Sequence, residues 1–203
     1  MITIYGSPKS SSGRCFWTLE EVGIEYQSKA INFKEKEHKS EAFLKINPNG
    51  KVPALTDGDY TIWESMAINM YLCEKYKPEL LGTTAEIKGR VYQWSIWSIG
   101  DLQTPLIDNF IQLVFVPEAH RDLKKIEKNL QALPALFQTL DDALSTSKFL
   151  AGDEFTLADL NTASVVLVSE YINYDLSPYK NLTKWFSAIK DRKAYQKYQE
   201  LCA

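Results

Sequence analysis

The chain has 203 residues, 45% of them hydrophobic, and its 23 basic and 26 acidic side chains leave a net charge of −3. This length can bury one large core or two modest ones, and so small a charge gives no field that attracts nucleic acid or an anionic membrane. Three widely spaced cysteines favour free thiols in a reducing compartment over disulfides or a zinc site. No signal peptide is recognisable, and no apolar stretch approaches the roughly 18 residues of a spanning helix. We therefore expect a cytoplasmic protein that binds neither nucleic acid nor membranes and holds no metal.

The N-terminal part of the chain alternates strand and helix patterns. Residues 2–5 show the period-two alternation of a short strand. From about Ser11, apolar side chains recur at helical spacing up to Gly23, which fits the left-handed position after a helix end. The next patterns predict a strand over 24–33 and a charged helix or turn over 34–47.

Two more strands and a helix complete this part. The strands "KVPALTD" and "DYTIW" surround a predicted hairpin turn at Asp57-Gly58, and "ESMAINMYLCEKY" predicts the helix. The predicted order is therefore βαβαββα. A linker with Pro and Gly, "KPELLGTT", follows.

Beyond the linker only helical patterns occur. We therefore predict two domains, an α/β domain over residues 1–77 and an all-α domain over residues 84–203. Pro105 lies inside the first helical pattern, where a proline kinks or divides a helix. Thr156 and Asp159 form a capping-box pattern ahead of an apolar run. The predicted helices run near 84–115, 118–146, 157–172 and 179–199.

Four motifs, taken in this order, resemble those of the glutathione S-transferases. They are "SPKSSSGR", "NPNGKVPAL", "WES" and "FLAGDEFTLADL". The resemblance spans nearly the whole chain and is to serine-type members such as the phi, theta and zeta classes. It implies a thioredoxin-like domain followed by a helical bundle, in a homodimer. It also implies conjugation of reduced glutathione to a small hydrophobic electrophile, with no cofactor beyond that co-substrate.

The resemblance assigns glutathione binding to the Val52-Pro53 bond and to the start of the next helix. In this fold the bond is cis, and the N–H and C=O of Val52 can bind a peptide backbone. The residues alone also fit a trans proline at a strand start. Ser65 and the helix N-terminus are assigned to the γ-glutamyl carboxylate and Glu64 to the amine, whereas the residues alone also fit plain capping by Ser65.

Further candidates are basic or aromatic side chains. By resemblance, Lys51, His38 and Lys39 hold the glycine carboxylate of glutathione, and a solvated charged face is the alternative. Trp97 and Asp101 recur at i, i+4 on one helix face, followed by Thr104 at i+7, and are candidates for the electrophile pocket. A core or solvated helix is the alternative there.

The reaction requires the sulfur of glutathione as a thiolate, because a thiol is a poor nucleophile. The resemblance assigns the stabilising hydroxyl to Ser10. Ser11 is the next candidate, and Ser12 is predicted to cap the first helix. Tyr5, at the end of the first strand, is a minor alternative. Cys15 at this turn suggests the thiol exchange of the beta and omega classes, but its place on the apolar stripe predicts a core residue.

Two rival functions fit the same residues. A non-catalytic binding or regulatory module would keep the architecture without needing the ligand groups. A glutathione-dependent isomerase, dehalogenase or disulfide reductase would keep those groups, because a fold does not assign a reaction.

Overall fold

The computed structural model describes residues 1–203, which form two compact units. The first unit combines Met1–Leu81 with Asp191–Ala203, and the second comprises Gly82–Lys190. The division predicted from the sequence placed all of residues 84–203 in the helical domain. The structure instead groups the last helix with the first unit. No helix combines the length and hydropathy that crossing a membrane requires.

A four-stranded mixed sheet forms the centre of the first unit. The strand order is β2-β1-β3-β4; β1 is parallel to β2, whereas β1–β3 and β3–β4 are antiparallel. Ile4 and Leu55 face each other across β1 and β3, and both are fully buried. The strands are β1 (Ile2–Tyr5), β2 (Tyr26–Lys29), β3 (Ala54–Asp57) and β4 (Tyr60–Trp63), and the helices are α1 (Gly13–Val22), α2 (Glu41–Leu44) and α3 (Ser65–Tyr76). The predicted βαβαββα order is confirmed.

Local signals at two glycines explain where elements end. Gly23 follows α1 with φ 76° and donates its N–H to the Leu19 carbonyl oxygen, as the sequence predicts. The β3–β4 turn consists of Gly58 and Asp59, one position later than predicted, because Asp57 pairs with Tyr60 as the last residue of β3. Gly58 has φ 60°, a conformation that favours glycine.

Asp57 fastens the β3–β4 hairpin to α3. One of its carboxylate oxygens accepts hydrogen bonds from the Tyr71 hydroxyl at 2.8 Å, from the Lys75 ammonium at 2.6 Å and from the Tyr76 hydroxyl. These donors, Lys75 foremost and Tyr76 next, lower the pKa of Asp57 to about 2. These hydrogen bonds therefore fix the position of the β3–β4 hairpin on α3.

Helix α10 (Lys193–Cys202) completes the first unit by packing on α1. Trp17 of α1 is fully buried and contacts the rings of Tyr195 and Tyr198. Arg192, just before α10, pairs with the buried Glu21 of α1. The sequence predicted one helix over 179–199, and this was wrong. Arg192 is extended, and it separates α9 from α10.

The second unit is all helical. Its α-helices are α4 (Ala85–Trp97), α5 (Gln103–Phe110), α6 (Leu123–Thr146), α7 (Leu157–Val166), α8 (Val168–Tyr171) and α9 (Lys180–Lys190). The predicted stretch 84–115 is helical nearly throughout, but π-helical turns occupy Ser98–Leu102 and Ile111–Phe115. Pro105 does not end the helix. Proline has no backbone N–H to donate, so the regular helical hydrogen-bond pattern is interrupted at Pro105. The π-helical turn just before it is where that pattern changes.

The predicted capping box begins α7. Thr156 donates its backbone N–H to Asp159 at 2.9 Å. Asp159 is fully buried, and it also accepts from the Leu150 N–H and the Trp185 indole N–H, each at 2.9 Å. Burial raises the pKa of Asp159, and these donors oppose that rise. The box therefore serves folding, as predicted.

Candidate active site

The serines of the motif form a turn between β1 and α1, which we call the serine turn (Ser7–Ser12). The Ser10 N–H and hydroxyl donate to the Ser7 carbonyl oxygen at 3.1 and 2.7 Å, and the Ser12 N–H donates to the Ser10 hydroxyl oxygen at 3.2 Å. Ser10 is therefore exposed but engaged within its own turn. Ser12 occupies the N-cap position of α1, yet its buried side chain makes no capping hydrogen bond, so the predicted cap was wrong.

Ser11 connects the serine turn to the loop before β3. Its exposed hydroxyl donates to the Val52 carbonyl oxygen at 3.2 Å. The Val52-Pro53 bond is cis, as the resemblance predicts. The β1–β3 ladder begins at Ala54, so Val52 lies ahead of the sheet pairing. A serine hydroxyl and the main chain of the cis-proline loop thus meet at one place.

The start of α3 differs from the prediction in one respect. The helix begins at Ser65, so Ser65 is its first residue and not its cap. Glu64 holds the N-cap position with φ 72° and ψ 117°, and its side chain makes no capping bond. A non-glycine residue at positive φ costs free energy, and such residues cluster at functional sites. The first N–H groups of α3, which lack intrahelical acceptors, are left available for an anion.

The basic candidates lie around Gly50. The Lys39 ammonium donates to the Asn49 carbonyl oxygen at 3.3 Å, and a Cβ built on Gly50 would lie 2.7 Å from both that ammonium nitrogen and the His38 carbonyl oxygen. His38 is half-buried and packs on the Phe33 ring at 4.7 Å. Lys51 is exposed directly before Val52. His38 and Lys39 precede α2 and Lys51 follows it, and the contacts around Gly50 bring the two segments together just ahead of the cis-proline.

Cys15 is a core residue, as its spacing predicted. It is fully buried, its thiol donates to the Ser65 carbonyl oxygen at 3.6 Å, and burial raises its pKa to about 12. A thiol in this state cannot attack a disulfide, because the thiolate is the nucleophile. Tyr5 packs against Phe43 with ring centroids 6.0 Å apart. No cluster of three or more His, Cys, Asp or Glu side chains is placed to hold a metal.

The candidates for the electrophile pocket lie in the helical unit. Trp97 is half-buried, and its ring meets the buried Trp94 edge-on at 5.3 Å. Asp101 and Thr104 are exposed. The π turn over Ser98–Leu102 lies between Trp97 and Thr104, so the regular i, i+4, i+7 spacing assumed from the sequence does not hold there.

The serine turn also contacts the C-terminal segment, which the sequence did not predict. Tyr198 of α10 donates its hydroxyl to the Pro8 carbonyl oxygen at 3.2 Å. The only sequence signal is a pair of tyrosines three residues apart on the last helix, which indicates a buried face but names no partner.

Known proteins are similar to this chain over nearly its whole length. The chain matches the family models described as "Glutathione S-transferase, N-terminal domain" over residues 1–74 and "Glutathione S-transferase, C-terminal domain" over residues 104–193. It is 36% identical over 204 residues to "Glutathione S-transferase 1" of Zea mays, covering 98% of this chain and 95% of the relative. It is 32% identical over 207 residues to "Glutathione S-transferase F9" of Arabidopsis thaliana, covering 97% and 95%. A solved structure of glutathione S-transferase-I bound with lactoylglutathione superimposes with a TM-score of 0.92 at 35% identity, over 98% of this chain and 99% of that one.

Proposed function

Because the chain belongs to the glutathione S-transferase family, we propose that it conjugates reduced glutathione to small hydrophobic electrophiles and stabilises the reacting thiolate with a serine hydroxyl. The observation that carries this proposal is the 3.2 Å hydrogen bond from the Ser11 hydroxyl to the Val52 carbonyl oxygen. It brings a hydroxyl donor beside the main chain that would bind the cysteinyl backbone of glutathione. Donor and sulfur would then be neighbours.

The required stabilisation is modest. With an ordinary thiol pKa of about 8.5, only about 3% of the sulfur is ionised at pH 7, and lowering the pKa by about two units gives about three quarters. That change corresponds to about 2.7 kcal/mol. One hydrogen bond to a charged group supplies about 1.5 to 3 kcal/mol. The start of α1, next to the serine turn, adds up to about 2 kcal/mol in favourable geometry. No metal or base is needed.

Ser10 and Ser11 compete for the donor role. Ser10 remains the prediction of the sequence, but its hydroxyl already donates to the Ser7 carbonyl oxygen at 2.7 Å. The longer bond of Ser11 is to Val52, whose carbonyl would accept the N–H of the bound cysteine. The cysteine N–H would replace the Ser11 hydroxyl as the donor to the Val52 carbonyl oxygen. The Ser11 hydroxyl could then rotate and donate to the sulfur of glutathione. The contacts therefore support Ser11 over Ser10.

The remaining groups would hold the rest of the co-substrate. Glu64 and Ser65 would bind the γ-glutamyl end, where the first turn of α3 offers N–H groups to its carboxylate. Lys51, His38 and Lys39 would hold the glycine carboxylate. Main-chain groups, the N-terminus of α3 and basic side chains of the first unit would thus bind successive parts of glutathione.

The electrophile, the quaternary state and the location complete the proposal. Trp97 and Asp101 would line the pocket for the second substrate. The chain would be cytoplasmic and act as a homodimer. The dimer alone has support in the structure, because Tyr92 and Ile96, four residues apart on α4, are exposed apolar side chains that a partner would cover. A disulfide reductase using Cys15 is not supported, because that thiol is buried.

The test combines glutathione-affinity binding with conjugation of a chlorinated nitroaromatic compound, on wild type, Ser10→Ala and Ser11→Ala. Titration of the thiolate absorbance in the binary complex gives the sulfur pKa directly. We expect Ser11→Ala to return that pKa toward about 8.5 and to lower kcat/KM at pH 6.5 between tenfold and a hundredfold. Ser10→Ala should lose less than threefold.

Each other outcome has a defined meaning. If Ser10→Ala loses activity and Ser11→Ala retains it, Ser10 is the donor. If both retain the wild-type pKa, the serine mechanism fails, and Tyr5→Phe becomes the next variant. If the wild type does not bind glutathione, the chain is a regulatory module of this fold.

A further inference from the structure

Helix α10 contacts the serine turn directly. The Tyr198 hydroxyl donates to the Pro8 carbonyl oxygen at 3.2 Å, and the Cys202 thiol lies 3.7 Å from the same oxygen. The Lys9 ammonium donates to the Ala203 carbonyl oxygen at 3.1 Å. Two consecutive residues of the serine turn are therefore held by the end of the chain, more than 180 positions away in the sequence.

The Tyr198 ring is itself held by the core. It stacks on Trp17 with ring centroids 5.9 Å apart and an interplanar angle of 4°. Trp17 is fully buried, and Tyr198 is only 8% exposed. Since packing fixes the ring, it also fixes where the hydroxyl points.

Gly13 shows how closely the parts approach one another. A Cβ built on Gly13 would lie 2.5 Å from the Pro8 carbonyl oxygen and 2.6 Å from the Tyr198 hydroxyl oxygen. Gly13 also donates its N–H to the Ser10 carbonyl oxygen at 2.9 Å. The serine turn, the start of α1 and α10 therefore meet at a point where no side chain fits.

We propose that Tyr198 is a positioning residue for the transferase reaction, acting through the Pro8 carbonyl to orient the serine hydroxyls. This inference rests on the proposed function above. Pro8 is the second residue of a turn closed by the Ser10 N–H to the Ser7 carbonyl oxygen, and its φ is fixed by its ring. Holding its carbonyl therefore sets the plane of the next peptide and with it the direction of the hydroxyls that follow. A donor held in advance needs no reorganisation when charge is present on the sulfur.

Tyr198→Phe tests the inference, because it keeps the stacked ring and removes only the hydroxyl. We expect the pKa of bound glutathione to rise by about half a unit to one unit, and kcat at pH 6.5 to fall about two- to sixfold with the thiolate fraction. KM for glutathione should change less than twofold, since the binding groups stay in place. Arg192→Gln is the matched control. Arg192 lies six residues before Tyr198, and its substitution weakens the attachment of α10 to Glu21 of α1. It should lower the melting temperature without changing the thiol pKa or kcat.

Two results separate this inference from the proposed function. If wild-type enzyme shows no lowered thiol pKa, the proposed function itself fails. If wild type shows it and Tyr198→Phe matches wild type in thiol pKa and kcat per folded enzyme, Tyr198 is only structural and the inference is overturned, whatever the melting temperature. Gly13→Ala provides a second route, because its methyl group would separate the Tyr198 hydroxyl from Pro8. It should give the same rise in thiol pKa, and an unchanged value would also overturn the inference.

Discussion

Replacing Asp57 by Asn should make the stability of the protein depend less on pH. The folded-state pKa of Asp57 is about 2, below the ordinary 3.8, so the ionised form is favoured in the fold. The stabilisation is therefore complete above about pH 5 and is lost as the pH falls through about 2. The difference in pKa corresponds to about 2.4 kcal/mol at about 1.36 kcal/mol per pH unit. Because the Lys75 partner is 46% exposed and screened by solvent, we expect about 1 to 2 kcal/mol.

Urea unfolding followed by tryptophan fluorescence, at intervals from pH 7 to pH 2, measures this prediction as the difference between wild type and Asp57→Asn. The difference should be largest at pH 7 and vanish near pH 2. The matched control is Asp59→Asn, an exposed carboxylate in the same hairpin turn, which should stay within about 0.5 kcal/mol of wild type. A difference for Asp57→Asn that stays constant over the whole pH range would refute the electrostatic explanation and leave only packing.

Three further predictions concern other parts of the chain. Asp159→Ala removes the buried acceptor of several N–H donors and should lower the free energy of unfolding by at least about 3 kcal/mol in denaturant titrations; a loss below 1 kcal/mol would contradict the importance of the capping box. Glu64→Gly should relieve positive-φ strain and raise stability by about 1 kcal/mol while weakening glutathione binding in calorimetry, and unchanged binding would count against its role at the site. In the native protein at pH 8 an aromatic disulfide reagent should modify Cys202 alone, because burial raises the pKa of Cys15 and Cys73 to about 12. Rapid reaction of a second thiol before unfolding would show that the core opens.

Much of the fold was predictable in both units because its signals are local. Period-two alternation marked the strands, Gly23 marked the end of α1, and the Thr156–Asp159 pair marked the start of α7. Cys15 was placed in the core from helical spacing alone. In each of these cases the residues that determine the structure lie within a few positions of the structure they determine.

The errors share a different physical cause. The apolar spacing of α10 predicts a helix with one buried face, but it does not show which unit that face packs on. The helix packs on the first unit through contacts with Trp17 and Glu21, about 175 positions earlier in the chain. The assignment of the donor to Ser10 or Ser11 is not one of these errors and stays a prediction, because sequence spacing does not give the distance from each hydroxyl to Val52. The cap of α3 shifted because Glu64 adopts a conformation that non-glycine residues rarely take.

The return of α10 to the first unit affects how the protein can be made. During synthesis the ribosome releases Met1–Leu81 long before Asp191–Ala203, and at about 5 to 20 residues per second the delay is roughly 6 to 24 seconds. Throughout that interval Trp17 lacks the two tyrosine rings that cover it, and Pro8 lacks its hydroxyl donor. The nascent chain therefore carries an incomplete serine turn until α10 has been synthesised.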